Sequence, residues 1–280
     1  MQRSSRVIIV TGANKGIGYS LMKRLIKHPE PSTLVLTSRN ETLGKEAMSN
    51  LIAEQPSIKE NLHYHVLDVT KPDSIAAFAE WVNQTFGKYD VLVNNAGVML
   101  KNELSSSFEP TMDEVNYVVG TNFFATKALT EKLLPFLSED GKIINVSSEL
   151  AYWSTQGRTL TELFTKSDFQ EKDLEKAYQL FETAAQNKSF ARDDVTNSPY
   201  KISKALINAW THYVLPKQLK GDQQCFTMTP GWCKTDMGGT GASRSADKGA
   251  ETLDYLIGLP FKFDKNLNGK FFMDKKVINF

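Results

Sequence analysis

Short apolar runs of strand length alternate with stretches of helical periodicity along most of this 280-residue chain. The first run, residues 7–10, is β-branched throughout, as expected of a strand buried on both faces of a parallel sheet. Repeated strand–helix units imply a parallel sheet covered on both faces, because the crossovers are right-handed. We therefore predict a doubly wound α/β fold of about seven strands, at residues 7–10, 33–37, 63–68, 91–93, 142–146, 225–228 and 269–273. The intervening helices are predicted over residues 17–28, 41–55, 73–86, 113–137, 200–219 and 246–259.

One segment, residues 150–198, interrupts this alternation because it contains no strand candidate. Its apolar residues recur at helical spacing, at Leu174, Ala177, Tyr178, Phe181 and Ala185. Since the alternation resumes afterwards, we predict a helical insertion within a single domain that spans residues 1–280.

Charge and cysteine content restrict the partners and the compartment. The chain has 33 basic and 32 acidic residues, so no basic excess exists to neutralise nucleic-acid phosphates or an acidic membrane. Two cysteines do not make a disulfide framework, which favours a reducing compartment. Residues 7–10 are too few for a signal peptide or a membrane span, and no other apolar segment approaches that length. We expect a soluble, cytoplasmic protein with no nucleic-acid, membrane or metal partner.

A glycine-rich turn, residues 11–18, joins the first predicted strand to the first predicted helix. Glycines let the backbone approach a pyrophosphate, and the helix N-terminus offers free N–H groups and the positive end of its dipole. The alternative is a tight turn without a ligand, and the G-x-x-x-G-x-G spacing departs from the common dinucleotide fingerprint. Its position after a buried strand favours a Rossmann-type nucleotide site, formed by Gly12, Asn14, Lys15, Gly16, Ile17 and Gly18.

Arg39 follows the second predicted strand, roughly 20 residues past the glycines, where an NAD-binding chain carries an acidic residue. A guanidinium matches a ribose 2′-phosphate, and Lys15 would add a second positive charge. The alternative is a solvated surface arginine. Since no carboxylate stands at this position, we predict NADPH/NADP⁺ as the cofactor rather than NAD.

Two further strand ends carry candidate cofactor contacts, because ligands of open α/β sheets bind at the carboxyl ends of the strands. Asp68 and Val69 follow the third predicted strand and would meet the adenine ring. The fourth is followed by Asn94, Asn95, Ala96 and Gly97. Small residues there permit backbone contact with the cofactor. Asn95 would also brace neighbouring strands, and a structural role is favoured for Asn94.

Three motifs together resemble those of the short-chain dehydrogenases/reductases. They are T-G-x-x-x-G-x-G at residues 11–18, N-N-A-G at 94–97 and Y-x-x-x-K at 200–204. The resemblance spans essentially the whole chain. T-G-x-N-K-G-I-G, T-N-F-F, N-V-S-S, P-G-W and the long insertion are similar to the monomeric carbonyl reductases that use NADPH. The resemblance implies reduction of a small carbonyl compound, such as a quinone, an aldehyde or a ketone.

Tyr200 and Lys204 are four residues apart, so on one helix both side chains reach the same site. A free tyrosine has a pKa of about 10, and we expect the nearby ammonium to lower the pKa of Tyr200 by favouring the phenolate. The alternative is an unrelated pair on a surface helix. The resemblance makes Tyr200 the proton donor and gives Lys204 a second contact, to the nicotinamide ribose.

The resemblance also implies roles for Ser148 and Asn122. Ser148 would hydrogen-bond the substrate carbonyl and stabilise the charge that develops on its oxygen. Asn122 would organise a water-mediated proton relay through Lys204, and its place within an apolar helix favours a hydrogen-bonded polar role. The alternative is a structural water site, which is compatible with the relay.

The loop after residue 228 would wrap the nicotinamide, by resemblance, through Pro230, Gly231, Trp232, Cys233 and Thr235. Cys233 stands where a β-branched residue is usual, and structural packing is favoured for it over redox sensitivity. Residues 234–245 are glycine-rich without periodicity, which indicates a mobile substrate loop or a plain flexible one. Trp153, Trp232 and Met237 are candidates to line an apolar pocket.

Two other functions stay open on the sequence alone. One is an oxidative dehydrogenase acting on an alcohol or hydroxysteroid, which the positive charge at Arg39 and Lys15 disfavours. The other is an NADP(H)-sensing scaffold without turnover, which the complete set of Asn122, Ser148, Tyr200 and Lys204 disfavours. The insertion before Tyr200 resembles the segment that covers the assembly face in monomeric members, so we expect a monomer.

Overall fold

The computed structural model describes residues 5–29 and 32–280, and a central sheet of eight strands organises them. A separate two-stranded ladder is formed by β7 and β8. The strands are β1 (Arg6–Val10), β2 (Ser32–Ser38), β3 (Leu62–Val66), β4 (Tyr89–Asn94), β5 (Leu137–Val146), β6 (Gln224–Met228), β7 (Cys233–Lys234), β8 (Arg244–Ser245), β9 (Lys270–Met273) and β10 (Lys276–Ile278).

The order across the central sheet is β10-β9-β6-β5-β4-β1-β2-β3. In this order, each pair of neighbouring strands between β9 and β3 is parallel, which confirms the predicted doubly wound α/β fold. The eighth strand, β10, runs antiparallel to β9 and was not predicted. Its turn is made by Asp274 and Lys275, both with positive φ, so the glycine signal that normally marks such a hairpin is absent.

Helices cover both faces of the sheet. They are α1 (Gly16–Leu25), α2 (Glu41–Glu54), α3 (Pro72–Phe86), α4 (Met112–Val119), α5 (Thr126–Leu133), α6 (Arg158–Phe164), α7 (Glu171–Gln186), α8 (Phe190–Asp193), α9 (Pro199–Ala209), α10 (Leu215–Gln218) and α11 (Ala246–Gly258). Successive residues of β1 face opposite sides: Ile8 packs with α1, α2 and α11, and Ile9 packs with α3, α4, α5 and α9. Among the described residues, no helix has both the length and the apolar composition needed to cross a membrane.

Two long predicted helices are interrupted. The helix expected over residues 113–137 is divided by a π-helical segment, Gly120–Ala125, and ends before β5 begins at Leu137. The helix expected over 200–219 contains a second π-helical segment, Trp210–Val214. A π-helical turn adds a residue to the turn and is common at functional sites, and apolar periodicity alone does not reveal it.

The segment predicted as an insertion, residues 150–198, contains α6, α7 and α8. Helix α7 packs against α4 and α9 through a buried stripe that includes Leu174, Ala177 and Phe181. The insertion thereby lies against the helix that carries Tyr200.

Candidate active site

Strands β1, β4, β5 and β6 end side by side, and the predicted site residues gather at this edge. Thr11 joins the glycine loop to the segment after β4. Its N–H donates to the Val93 carbonyl at 3.0 Å, and its hydroxyl oxygen accepts from the N–H groups of Asn95 (2.9 Å) and Ala96 (3.0 Å). Thr11 was not singled out from the sequence beyond its place in the motif.

The glycine loop is closely packed at Gly12 and Gly18. Gly12 has φ +61°, and a Cβ on it would lie 3.1 Å from the Ala96 Cα. A Cβ on Gly18 would lie 2.6 Å from the Asn95 Nδ2 and 2.9 Å from the Gly12 carbonyl oxygen. The Asn95 amide donates to the carbonyls of Thr11 (2.8 Å) and Gly12 (3.1 Å), so Asn95 braces the loop.

Helix α1 begins at this loop with no side chain capping its first N–H groups. Lys15, which precedes Gly16, is extended and makes no capping bond, and the first turn contains no acidic residue. Free N–H groups and the positive dipole end therefore fit an anion such as a pyrophosphate. Asn14 is half-buried in the turn, and the Thr235 methyl group lies 3.4 Å from the position of a Cβ on Gly16.

The predicted 2′-phosphate site lies at the end of β2, where Arg39 is exposed. Asp68 stands near it: burial acts to raise the pKa of Asp68, but bonds from Thr70 and the charge of Arg39 bring it below the usual value. Asp68 is therefore ionised, and its carboxylate interacts with the charge of Arg39. Lys15 is also exposed, and its ammonium pairs with Asp236 at 2.6 Å.

Three predicted residues lie mainly in the core. Val69 is buried in the cluster that contains Ile9, and Ile17 packs partly against the cluster on the other face of the sheet. Trp153 is buried and stacks on Phe280 with ring centres 4.9 Å apart, so it packs in the core instead of lining an open pocket.

Tyr200 and Lys204 face the same side of α9 and are both buried. The Lys204 ammonium donates to the Val146 carbonyl at the end of β5 at 2.8 Å, and it lies 5.7 Å from the centre of the Tyr200 ring. The side chain of Ser148, two residues past β5, interacts with that of Tyr200 and acts to lower its pKa. The structure thus places Ser148, Tyr200 and Lys204 in one cluster.

The pKa of Tyr200 is raised to about 12, the opposite of the sequence expectation. Burial is the largest cause, the interaction with Ser148 opposes it and the charge of Glu103 adds to it. Burial also lowers the pKa of Lys204 to about 8. The expectation of a lowered tyrosine pKa was wrong because spacing along a helix does not show how deeply the hydroxyl is buried. The Tyr200 hydroxyl keeps its proton and can act as a donor.

Asn122 lies in the first π-helical segment and is fully buried. Its side-chain oxygen accepts from the Val98 N–H at 2.8 Å, and its amide donates to the Val98 carbonyl (2.9 Å) and to Ser203 (3.0 Å). A Cβ on Gly97 would lie 3.1 Å from that oxygen and 3.5 Å from the Lys204 nitrogen. Gly97 therefore keeps open the space between Asn122 and Lys204.

The loop that follows β6 closes the site on its other side. Pro230 and Cys233 are buried, and the Cys233 thiol donates to the Pro230 carbonyl at 3.2 Å. Burial raises the pKa of Cys233, which fits a packing role. A Cβ on Gly231 would lie 2.7 Å from the Arg244 side chain.

Two apolar side chains of this region are exposed. Trp232 is 58% exposed, and its indole N–H donates to the Gly238 carbonyl at 2.8 Å. Met237 is also exposed. Strands β7 and β8 join the two ends of residues 234–245, so this segment forms a loop fastened at its base.

One residue of the site was missed. Glu103, in the loop between β4 and α4, has a carboxylate that accepts the backbone N–H of Tyr200 at 2.7 Å. The two residues are 97 positions apart, so no local pattern could have indicated this contact.

The chain is similar to known proteins over its whole length. A family profile described as short chain dehydrogenase matches residues 6–159. Carbonyl reductase (NADPH) 3 of Rattus norvegicus is 34% identical over 267 residues, which cover 93% of each chain. Carbonyl reductase (NADPH) 1 of Bos taurus is 32% identical over 284 residues, which cover 99% of each chain.

The fold is similar to that of a solved plant enzyme. The structure of salutaridine reductase from Papaver somniferum superposes with a TM-score of 0.81 at 28% sequence identity. The superposition covers 96% of this chain and 99% of the other.

Replacement of Gly18 tests how closely the loop is packed. We expect Gly18→Ala to lower the free energy of unfolding by about 1–3 kcal/mol, because the new methyl group would press on backbone atoms of the same loop. Gly120→Ala is the matched control: Gly120 is helical, and a Cβ on it meets nothing within 4 Å. Urea unfolding of both variants measures the difference, and equal stabilities would show that the loop tolerates a side chain.

Proposed function

The chain belongs to the short-chain dehydrogenase family, and from that membership we propose that it is an NADPH-dependent carbonyl reductase. The observation that carries this function is that the buried Tyr200 side chain lies with Ser148 and Lys204 in one cluster. The full-length similarity to carbonyl reductases that bear NADPH in their names supports the same conclusion.

The cofactor is NADP(H), and we propose which residues hold it. The N-terminus of α1 would bind the pyrophosphate, since its N–H groups are free of side-chain caps. Arg39 would pair with the 2′-phosphate, and Asp68 would lie at the adenine. The nicotinamide end would meet the remaining predicted residues: Asn95, Ala96, Gly97, Tyr200, Lys204, Pro230, Gly231, Trp232, Cys233 and Thr235. When bound, NADPH supplies a hydride to the carbonyl carbon.

Tyr200 and Ser148 bind the substrate carbonyl oxygen in this mechanism. Both hydroxyls donate to the oxygen, and this orients the carbonyl and stabilises the negative charge that develops on it. Tyr200 then transfers its proton to the oxygen, which completes the alcohol. Because the pKa of Tyr200 is about 12, the hydroxyl remains protonated at neutral pH until the oxygen becomes basic.

Lys204 and Asn122 would restore the proton of Tyr200. A tyrosinate left after transfer is stabilised by the Lys204 ammonium, whose position is fixed by the Val146 carbonyl. The space that Gly97 keeps open between Asn122 and Lys204 is bordered by polar atoms from both residues. We propose that Lys204 gives a proton to the tyrosinate and that a water molecule in this space then returns a proton to the neutral Lys204 amine.

The substrate is a small carbonyl compound, and we propose quinones, aromatic aldehydes and ketones. The exposed Trp232 and Met237 offer apolar contacts in the loop of residues 234–245. This loop touches the glycine loop through the Lys15–Asp236 pair, so it can close over both cofactor and substrate.

The first prediction for this function concerns the proton donor. Tyr200→Phe should lower kcat for carbonyl reduction by about 100-fold or more, because general acid catalysis is lost. NADPH oxidation is followed by absorbance with a panel of quinones and aromatic aldehydes. Tyr255→Phe removes the same atom from a more exposed tyrosine on α11 and should leave the rate unchanged. Full activity in Tyr200→Phe would contradict the mechanism.

The second prediction concerns cofactor choice. Arg39→Ala should raise KM for NADPH by about 10- to 100-fold, since a charge-assisted bond to phosphate is worth roughly 1.5–3 kcal/mol. KM for NADH, which lacks the phosphate, should stay within about twofold. Arg158→Ala, in the exposed part of the insertion, is the control. An equal effect of Arg39→Ala on both cofactors would overturn the assignment.

We also propose a monomer located in the cytoplasm. Helix α7 packs against α4 and α9, and the ring centres of Tyr178 and Phe124 lie 5.1 Å apart. The insertion therefore covers the face formed by α4 and α9. Both cysteines are free and buried, which fits a reducing compartment. Light scattering after size exclusion should give a mass near 31.4 kDa, and a stable dimer or tetramer would contradict the monomer.

A further inference from the structure

Glu103 is a fully buried carboxylate, 0% exposed, in the loop between β4 and α4. One carboxylate oxygen accepts from the Ser198 hydroxyl at 2.8 Å and from the Tyr200 backbone N–H at 2.7 Å. The other accepts from the Leu100 backbone N–H at 2.6 Å. Burying a carboxylate is costly unless donors satisfy it, and here three donors do so. This side chain is therefore held in one place by both the loop and α9.

The contact falls on the first turn of α9, where backbone donors lack acceptors within the helix. The first residue, Pro199, has no N–H, and the N–H of Lys201 is accepted by the Ser198 hydroxyl at 3.1 Å. The N–H of Tyr200 lies between them, and Glu103 accepts it. A negative charge at this end also interacts favourably with the helix dipole. Glu103 thus fixes the backbone position from which the Tyr200 side chain extends.

A second set of hydrogen bonds joins the loop between β4 and α4 to the chain before α9 without involving Tyr200. The Asn197 amide donates to the carbonyls of Ser105 (3.1 Å) and Phe108 (2.8 Å). The loop is thus attached to the chain just before α9 at two points, and the Glu103 point alone includes the N–H of Tyr200. This difference separates an effect on Tyr200 from an effect on the loop.

We propose that Glu103 is a positioning residue for the reaction, which holds the start of α9 so that the Tyr200 hydroxyl meets Ser148 and the substrate carbonyl. This inference rests on the proposed reductase function. The negative charge of Glu103 also supports the role of Tyr200 as a proton donor. Together with burial, which is the larger cause, it raises the pKa of Tyr200 and keeps the hydroxyl protonated.

Glu103→Gln tests the inference with little change in shape. The amide has one acceptor oxygen, so it cannot accept from both Tyr200 and Leu100 on opposite sides. We expect kcat for carbonyl reduction to fall by about 10- to 100-fold, as small misplacements of a reacting group cost this much. KM for the carbonyl substrate, and Kd for NADPH from fluorescence titration, should stay within about threefold.

Two control variants separate this effect from a general one. Glu109→Gln removes a carboxylate from the same loop, but Glu109 is exposed and pairs with Lys188 at 3.2 Å. Asn197→Ala removes the second set of hydrogen bonds. Both should keep kcat within about twofold of the wild type. A similar loss of kcat in Asn197→Ala would overturn the inference, because the loop as a whole would then control the rate.

The remaining outcomes are also decisive. Wild-type kcat in Glu103→Gln, or a loss confined to KM, would overturn the inference while leaving the reductase function intact. If Glu103→Gln does not fold, Glu103→Asp carries the test, because the shorter side chain keeps its charge but cannot reach both donors. A lowered kcat at unchanged KM is then expected, and wild-type kcat overturns the inference. No wild-type turnover would overturn the reductase function and this inference with it.

Discussion

The bond from the Lys204 ammonium to the Val146 carbonyl, 2.8 Å long, joins α9 to the end of β5, and the site depends on it. A second bond, from the Ser147 hydroxyl to the Lys204 carbonyl at 3.3 Å, acts in parallel. Ser148 follows Ser147 directly in the chain. The two bonds that hold α9 against Val146 and Ser147 therefore also place the Ser148 side chain near Tyr200. The sheet, through the rigid end of one strand, thereby sets the distance between the two hydroxyls that would bind the substrate oxygen.

Burial of this cluster determines its chemistry. Water is kept from Tyr200, so the neutral hydroxyl is favoured and its pKa rises to about 12. Lys204 is buried too, and its pKa falls to about 8, so its proton is held less tightly than in water. Because the pKa of Tyr200 is higher than that of Lys204, Lys204 can return a proton to Tyr200 after each transfer to substrate.

The sequence predicted those parts that depend on local pattern. Seven strands followed from apolar runs, and the glycine loop followed from its position after β1. The π-helical turn around Asn122 could not be predicted, because it accompanies bonds to Val98, which lies 24 residues earlier. The contact of Glu103 with α9 also joins distant parts of the chain. The direction of the Tyr200 pKa shift was missed for the same reason, since burial is a property of the folded protein.

The transfer of hydrogen from cofactor to substrate tests the central claim most directly. Wild-type protein is incubated with an aromatic aldehyde and NADPH that carries deuterium at its transferable nicotinamide position, and the product is examined by mass spectrometry and NMR. A carbonyl reductase should yield an alcohol with one deuterium on the former carbonyl carbon, in proportion to the NADPH oxidised. Oxidation of the cofactor without deuterium in the alcohol would contradict the account.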